Sequence, residues 1–246
     1  MQKLYSILHT LYSKIIDFIF PPACPVCGAR VIDDGQLCAE CWGHFHWISA
    51  PLCKTCGYPF PANIDRDADL MCPTCAAGGA EVDWMRAACV YDDVSKNIML
   101  PFKHAAKTFY SKSMSRAMIS ALRDAPEFDV ILPVPLARRR LFKRGYNQAG
   151  ILARAIAGHF DRPIDYNSFS RKHRPSMGKM SKSQRQENIR GALKIVAPDA
   201  FRGKRVLLVD DVFTHGVTFS EMNRLLKKAG AVAVYGIVFC RVVRAI

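Results

Sequence analysis

The segment that is most informative about the fold is Val206-Leu-Leu-Val-Asp210-Asp211-Val-Phe-Thr214-His215-Gly216-Val-Thr218. Four consecutive apolar residues, from Val206 to Val209, suit a strand that is buried on both faces, as strands of parallel sheets are. Ligands of open parallel sheets bind at the carboxyl ends of the strands, where Asp210 and Asp211 fall. The stretch therefore predicts an α/β fold with a binding site after this strand.

The turn after the two carboxylates has the features of a phosphate site. Gly216 lets the backbone approach an anion closely, and the hydroxyls of Thr214 and Thr218 can donate to phosphate oxygens. A helix-like run from Phe219 to Ala229 follows and ends at Gly230, and the free N–H groups at a helix start bind phosphate. A ribose phosphate would use the carboxylates for its hydroxyls and the turn for its phosphate.

Two other protein classes share part of this pattern. A Walker P-loop requires Gly-Lys-Ser/Thr at the helix start, whereas this chain has His215-Gly216-Val217. A receiver domain has an acidic pair after an apolar strand, but that pair opens the domain, and only thirty-five residues follow Asp211. Both classes are excluded, and an ordinary buried strand before an acidic helix start is the remaining alternative.

The segment Asp210 to Thr218 resembles the phosphoribosyl-pyrophosphate (PRPP) loop of type I phosphoribosyltransferases. A second block narrows the resemblance to the ComF family of competence-associated proteins: Pro133-Val134-Pro135-Leu136, then Arg138, then Arg144-Gly145-Tyr146-Asn147-Gln148-Ala149. The cysteine-rich N-terminal part agrees with that family. The resemblance implies a type I phosphoribosyltransferase fold, a parallel sheet flanked by helices, with a small N-terminal zinc-ribbon module.

The resemblance also implies roles for individual residues. Asp210 and Asp211, the candidate catalytic residues, would hold the ribose hydroxyls. The residues expected around the 5′-phosphate are Thr214, His215, Gly216, Val217 and Thr218. Those expected to face the pyrophosphate are Pro133, Val134 and Pro135, with Lys103, Arg138 and Arg144 as cations near the leaving group. Mg²⁺ would accompany PRPP, because it prefers hard oxygen ligands and neutralises phosphate charge.

The chain departs from the family pattern at His215, where the loop usually reads Thr-Thr-Gly. One hydroxyl donor is lost there, and the backbone N–H contacts are expected to remain. Asn147 and Gln148 are open to a second interpretation, as residues that cap a helix. The basic segment Arg171 to Arg190 suits either a loop that closes over a ligand or a disordered excursion.

Eight of the ten cysteines form four Cys-x-x-Cys pairs: Cys24/Cys27, Cys38/Cys41, Cys53/Cys56 and Cys72/Cys75. Each pair presents two thiolates from one turn, so two pairs complete a tetrahedral structural zinc site, and the four pairs predict two Zn²⁺ ions. Pairing in sequence order gives two short ribbons, and interleaved pairing is also possible. A disulfide framework would require a secreted chain.

The composition of the 246 residues accommodates one α/β core with an appended module, and its net charge of +14 with a pI near 9.5 predicts anionic partners. Three parts are expected: an amphipathic helix at 1–20, a double zinc ribbon at 21–80 and the phosphoribosyltransferase domain at 84–246. The first part lacks a signal cleavage site and is too short to span a bilayer. We therefore expect a cytoplasmic protein without stable membrane insertion, with peripheral membrane contact of this helix as an alternative.

Two classes of function remain open. One is an active phosphoribosyltransferase of nucleotide salvage or metabolism, which the motif at Asp210 favours. The other is a PRPP-binding protein of DNA uptake, natural transformation or DNA processing, whose zinc ribbons and basic rim contact single-stranded DNA beside uptake or recombination proteins. The ComF resemblance favours the second. No base that would activate an acceptor is identifiable, because His104, His173 and His215 have no sequence partner that would place them.

Overall fold

The computed structural model describes residues 21–65, 69–173 and 191–243. The predicted helix at 1–20 and most of the basic segment from Arg171 to Arg190 lie outside the described residues. The strands, numbered in chain order, are β1 (Trp84–Val90), β2 (Val130–Pro133), β3 (Phe169–Arg171), β4 (Leu193–Ile195), β5 (Arg205–Phe213) and β6 (Ala233–Arg241). The helices are α1 (Ala39–His44), α2 (Pro73–Ala76), α3 (Asp93–His104), α4 (Tyr110–Ala121), α5 (Arg138–Arg144), α6 (Gln148–Phe160) and α7 (Val217–Lys228), with a 3₁₀ turn at Pro198–Phe201.

Four of these strands form a parallel sheet in the order β1-β6-β5-β2, and β3 pairs with β4 in a separate antiparallel hairpin. The central strand β5 is buried on both faces, as its apolar run predicts. Leu207 and Val209 pack with α3, α4 and α6 on one face, whereas Val206 and Leu208 pack with α7 on the other. Helices on both faces of a parallel sheet confirm the predicted α/β fold class.

The ends of two elements near the site differ from the sequence prediction. Strand β5 does not stop at Val209 but continues to Phe213, because β6 pairs with it as far as Phe213 and Arg241. Helix α7 begins at Val217 rather than Phe219, directly after Gly216, which turns the chain with a φ of +71°. The two carboxylates therefore lie inside the strand, and the turn to the helix is tight.

The cysteine-rich part covers the outer edge of β1. The N–H of Ile48 donates to the carbonyl of Ala88 at 2.9 Å, and the N–H of Val90 donates to the carbonyl of His46 at 2.9 Å. Further along, the N–H of Met85 donates to the carbonyl of Thr55 at 2.7 Å. An open strand edge invites pairing with another chain, so this cover satisfies backbone groups that would otherwise be exposed.

Within the described ranges, no helix is both long enough and apolar enough to cross a bilayer.

Candidate functional site

Asp210 and Asp211 form an acidic pair near the carboxyl end of β5, with Lys103 beside them. Asp211 is buried, and its N–H donates to Asp210 Oδ1 at 2.9 Å. Lys103, in the last turn of α3, places its Nζ 3.2 Å from Asp211 Oδ2. Burial alone would lower the pKa of Lys103, but attraction from Asp211 and then Asp210 outweighs it and raises that pKa. The structure thus brings together three residues that the sequence singled out.

Asp210 differs electrostatically from an ordinary surface carboxylate. Its burial, followed by repulsion from Asp211, raises its pKa to about 7, although Lys103 and Arg171 oppose the shift. Near neutral pH this carboxyl group therefore exchanges readily between its charged and protonated forms. Such a group can accept hydrogen bonds from sugar hydroxyls when ionised, and its ionisation is sensitive to a bound ligand's charge.

The predicted phosphate loop lines a small cavity of about 50 Å³ directly beside Asp210. The lining residues include all five that were expected there, namely Thr214, His215, Gly216, Val217 and Thr218. The loop leads into the twelve-residue helix α7, whose first N–H groups have no intrahelical partner. Backbone donors and the positive end of the helix dipole therefore both favour an anion in this position.

Glu81 lies against this loop. No sequence motif indicated this contact. A Cβ added at Gly216 would come within 2.4 Å of Glu81 Cγ and 2.5 Å of its Oε1. The carboxyl group of Glu81 thus fills the space that a side chain at position 216 would need. Only glycine satisfies both this close approach and the positive φ.

The segment after β2 lies beside β5, close to the acidic pair. Pro133 is paired with Val209 in the sheet, and the N–H of Val134 donates to the carbonyl of Val209 at 2.9 Å. The loop expected to face pyrophosphate is therefore held next to the end of β5. Tertiary pairing, rather than sequence proximity, places it there.

The predicted cations Arg138 and Arg144 lie at opposite ends of α5 and line different clefts. Arg144 shares one cleft, of about 590 Å³, with Lys103, His104, Arg140 and Lys143. Arg138 shares the other, of about 850 Å³, with Pro135, Asn147 and Arg171. Lys103 and Arg144 are therefore grouped together, whereas Arg138 is separated from them. Arg171 was not predicted as a site residue individually, yet its charge acts on Asp210.

The block Tyr146-Asn147-Gln148 contacts the main chain of the site. Asn147 occupies the position before α6, but its side chain does not cap that helix. Its Nδ2 instead donates to the carbonyl of Val134 at 3.1 Å, and Gln148 Nε2 donates to the carbonyl of Lys103 at 3.2 Å. The helix-cap interpretation of these side chains is thus wrong, because neither side chain accepts from the first N–H groups of α6 and both amides are instead bonded to carbonyls of other segments.

The eight paired cysteines form two clusters, as pairing in sequence order predicts. One contains Cys24, Cys27, Cys38 and Cys41, and the other contains Cys53, Cys56, Cys72 and Cys75, with the sulfurs of each within 4.8 Å of one another. The sulfurs of Cys27 and Cys38 are 3.6 Å apart and those of Cys56 and Cys72 are 3.7 Å apart. Disulfide bonds would require about 2.05 Å. A zinc ion with four sulfurs at about 2.3 Å has sulfur separations near 3.8 Å, so both clusters fit that metal.

The backbone around the two clusters has the same local arrangement. The N–H of Gly28 donates to the carbonyl of Cys24 at 2.8 Å, and the N–H of Gly57 donates to the carbonyl of Cys53 at 2.9 Å. Both glycines follow the second cysteine of a pair and have positive φ. The later pair of each cluster starts a short helix, with Cys38 and Cys72 at the N-cap. These are two copies of a four-cysteine ribbon.

Two protein-family models match separate parts of the chain. A double zinc ribbon domain model matches residues 15–76, and a phosphoribosyl transferase domain model matches residues 141–243. The fold and the cysteine clusters thus define a phosphoribosyltransferase-fold protein with a double zinc ribbon.

Proteins that are similar in sequence over most of the chain give a more specific comparison than the two domain models. Competence protein F of Haemophilus influenzae is 29% identical over 209 residues, which cover 78% of this chain and 91% of that protein. Competence protein ComFC of Bacillus subtilis is 25% identical, with coverage of 81% and 81%, and DNA utilization protein YhgH of Escherichia coli is 26% identical, with coverage of 77% and 84%. The chain is thus similar over about four fifths of its length to proteins named for competence and DNA utilization, in agreement with the resemblance carried by the motifs around Pro133 and Asp210.

Solved structures are similar over part of the chain only. Glutamine PRPP amidotransferase of B. subtilis is 22% identical with a TM-score of 0.35, covering 51% of this chain and 25% of that one. Purine phosphoribosyltransferase of Pyrococcus horikoshii is 24% identical with a TM-score of 0.31, covering 51% and 68%. The chain thus spans about a quarter of the amidotransferase.

We expect two zinc ions per chain, grouped in sequence order. Replacing Cys24 and Cys38 with serine should abolish one site and leave the other, so elemental analysis should return one zinc per chain. Cys89→Ser, which changes a buried cysteine outside both clusters, serves as the control and should retain both ions. Loss of both ions from the double variant would indicate interleaved pairing.

We expect Gly216→Ala to destabilise the protein through two separable effects. The positive φ costs about 1–2 kcal/mol for an alanine, and the clash with Glu81 adds to it. Gly78→Ala has a similar φ of +76° but no atom within 4 Å, so it measures the first effect alone in thermal unfolding. Adding Glu81→Ala should recover only the clash contribution. Equal losses in the two glycine variants would contradict the contact with Glu81.

We expect Asp210→Asn to stabilise the protein progressively as the pH rises. The folded pKa of about 7 exceeds the ordinary value of 3.8, so the wild type loses stability between about pH 4 and pH 7, where the group ionises in the unfolded chain while the folded state still holds the proton, and above pH 7 the folded state carries the full cost of ionisation. The amide avoids that cost. Thermal unfolding at pH 5.5 and pH 8.5 should show a larger advantage for the variant at the higher pH, with the exposed Asp93→Asn as control. A pH-independent difference would contradict the raised pKa.

Proposed function

We propose that this protein binds PRPP at the carboxyl end of β5 and acts in DNA uptake, natural transformation or DNA processing in the cytoplasm. The observation that carries the proposal is the adjacency of Asp210 and Asp211 to a phosphate loop at a helix start. The pair supplies acceptors for two ribose hydroxyls, and the loop supplies donors for the 5′-phosphate. The names of the relatives support the DNA-related role.

The pyrophosphate half of PRPP would lie toward Lys103 and the loop at Val134. Lys103 already neutralises part of the acidic pair, and Arg144 adds a second cation in the same cleft. Mg²⁺ bound together with PRPP would neutralise its phosphate charge and orient its oxygens. The chain's own contribution is to hold the two ends of the ligand at fixed positions.

A second candidate function is phosphoribosyl transfer to a base, and His104 is the observation that favours it. This histidine lines the cleft with Lys103 and Arg144, and partial desolvation there, followed by repulsion from Arg144 and Lys103, lowers its pKa. A neutral imidazole at pH 7 can accept a proton from an acceptor. Release of pyrophosphate from PRPP in the presence of nucleobases distinguishes this candidate from binding alone.

Single-stranded DNA is the macromolecular partner that we propose, and charge favours the phosphoribosyltransferase domain as its main contact. Residues 21–80 contain six Asp and Glu against three Lys and Arg, whereas residues 84–246 contain thirty Lys and Arg against twelve Asp and Glu. Helix α5 has five cations among its seven residues, and Phe142 within it is 94% exposed. An exposed ring among cations suits unstacked bases and phosphates. The basic rim therefore contributes more to this proposal than the ribbons do.

We expect PRPP to raise the thermal unfolding temperature of the wild type, and more so with Mg²⁺, because a ligand of the folded state stabilises it by mass action. Asp210→Asn with Asp211→Asn removes both negative charges and one acceptor oxygen from each side chain without changing side-chain shape, and should strongly reduce the shift. A matched pair, Asp93→Asn with Asp199→Asn, changes the same charge at exposed positions and should keep it. Absence of any shift in the wild type would refute the PRPP assignment.

We expect affinity for single-stranded DNA to fall steeply with salt, since each phosphate contact releases counterions. Arg139→Ala with Lys143→Ala on α5 should flatten the slope of log affinity against log salt by about 1.4, or about 0.7 per phosphate contact, and Phe142→Ala should weaken binding without changing the slope. Lys96→Ala with Lys228→Ala, which removes two cations outside α5, controls for net charge. Unchanged filter binding in the α5 variants would place the DNA elsewhere.

A further inference from the structure

The residues Tyr146, Asn147 and Gln148 share one property, which is that each side chain donates a hydrogen bond to a main-chain carbonyl of another segment. Tyr146 Oη donates to the carbonyl of Phe102, and Gln148 Nε2 donates to that of Lys103 at 3.2 Å. Asn147 Nδ2 donates to the carbonyl of Val134 at 3.1 Å. Gln148 is only 3% exposed, so its amide group is committed to this contact.

The carbonyls of Phe102 and Lys103 need external donors. Both belong to the last turn of α3, where the final four carbonyls of a helix have no intrahelical N–H. The last backbone bond of this helix runs from the N–H of Ala105 to the carbonyl of Pro101. Tyr146 and Gln148 therefore terminate α3 from outside and fix the point from which the Lys103 side chain extends.

The third carbonyl is that of Val134, in the loop after β2. Val134 is tied to β5 through its N–H, which donates to the carbonyl of Val209. The carbonyl of Val134 accepts a hydrogen bond from Asn147, which restrains the chain where it continues into Pro135. Three consecutive residues at the start of α6 thus link the end of α3, which borders the cleft with Arg144, to the loop after β2, which borders the cleft with Arg138.

We propose that Tyr146, Asn147 and Gln148 are positioning residues that set the geometry of the pyrophosphate half of the site through the three main-chain carbonyls they hold. The inference rests on the proposed function, because it assumes that Lys103 and the Val134 loop receive pyrophosphate. The ribose phosphate half depends on β5 and the loop before α7, which these three side chains do not contact through any hydrogen bond in the described residues. The two halves should therefore respond differently when these donors are removed.

The test compares two partial ligands by isothermal titration calorimetry: pyrophosphate with Mg²⁺, and ribose 5-phosphate. Gln148→Met and Asn147→Leu remove the donors while keeping size and net charge, and Tyr146→Phe is a milder variant that removes only a hydroxyl. Gln36→Met, on the first zinc ribbon, is the matched control. We expect each donor variant to weaken pyrophosphate binding by about tenfold, as loss of one buried hydrogen bond implies, and to leave ribose 5-phosphate binding within about twofold.

Thermal unfolding and zinc content of each variant establish that it is folded, and Tyr146→Phe provides the comparison if the larger changes prevent folding. Equal losses for both ligands, or no loss for either, would overturn the positioning role while leaving the PRPP site in place. A wild type that binds neither ligand would instead overturn the proposed function, and the positioning role with it. A loss confined to ribose 5-phosphate would assign the three residues to the wrong half.

Discussion

The site depends on keeping two adjacent carboxylates near the end of a strand that is buried on both faces. Desolvation and mutual repulsion oppose such a pair, and the cost is visible in the raised pKa of Asp210. Lys103 reduces it with an ion pair at 3.2 Å to Asp211. Because that lysine is carried by the last turn of α3, the position of α3 relative to β5 becomes part of the site. A buried charge pair of this kind contributes little to stability, so its presence is better explained by function.

The rest of the cleft is arranged around this pair. The helix start at Gly216 supplies the anion-binding pole, Val134 is fixed against Val209, and the Tyr146-Asn147-Gln148 block ties α3 to the loop after β2. Glu81 adds a contact from the segment that joins the second zinc ribbon to β1, directly at Gly216. The zinc ribbons therefore cover the sheet edge and also lead into a residue that borders the phosphate loop. Their acidic composition suits this structural role better than direct contact with phosphates of DNA.

The sequence predicted what depends on local pattern and known chemistry. The apolar run at Val206 indicated a doubly buried strand, and the Cys-x-x-Cys spacing indicated two metal clusters, because both signals are contained within a few residues. What depends on tertiary pairing was missed. The pairing of β6 with β5 carries the strand past Asp211, and the separation of Arg138 from Arg144 follows from the orientation of α5. The contacts of Glu81 and Gln148 cross more than forty residues of chain, and no spacing rule could have indicated them.

We propose that the end of β5 and the start of α7 together form one ribose phosphate site. A crystal structure of the protein with PRPP and Mg²⁺ tests it most directly. We expect the ribose hydroxyls within hydrogen-bond distance of Asp210 and Asp211, the 5′-phosphate over the N–H groups of residues 214–218, and the pyrophosphate toward Lys103. PRPP bound with its phosphate away from Gly216, or found only in the cleft beyond Arg138, would contradict it.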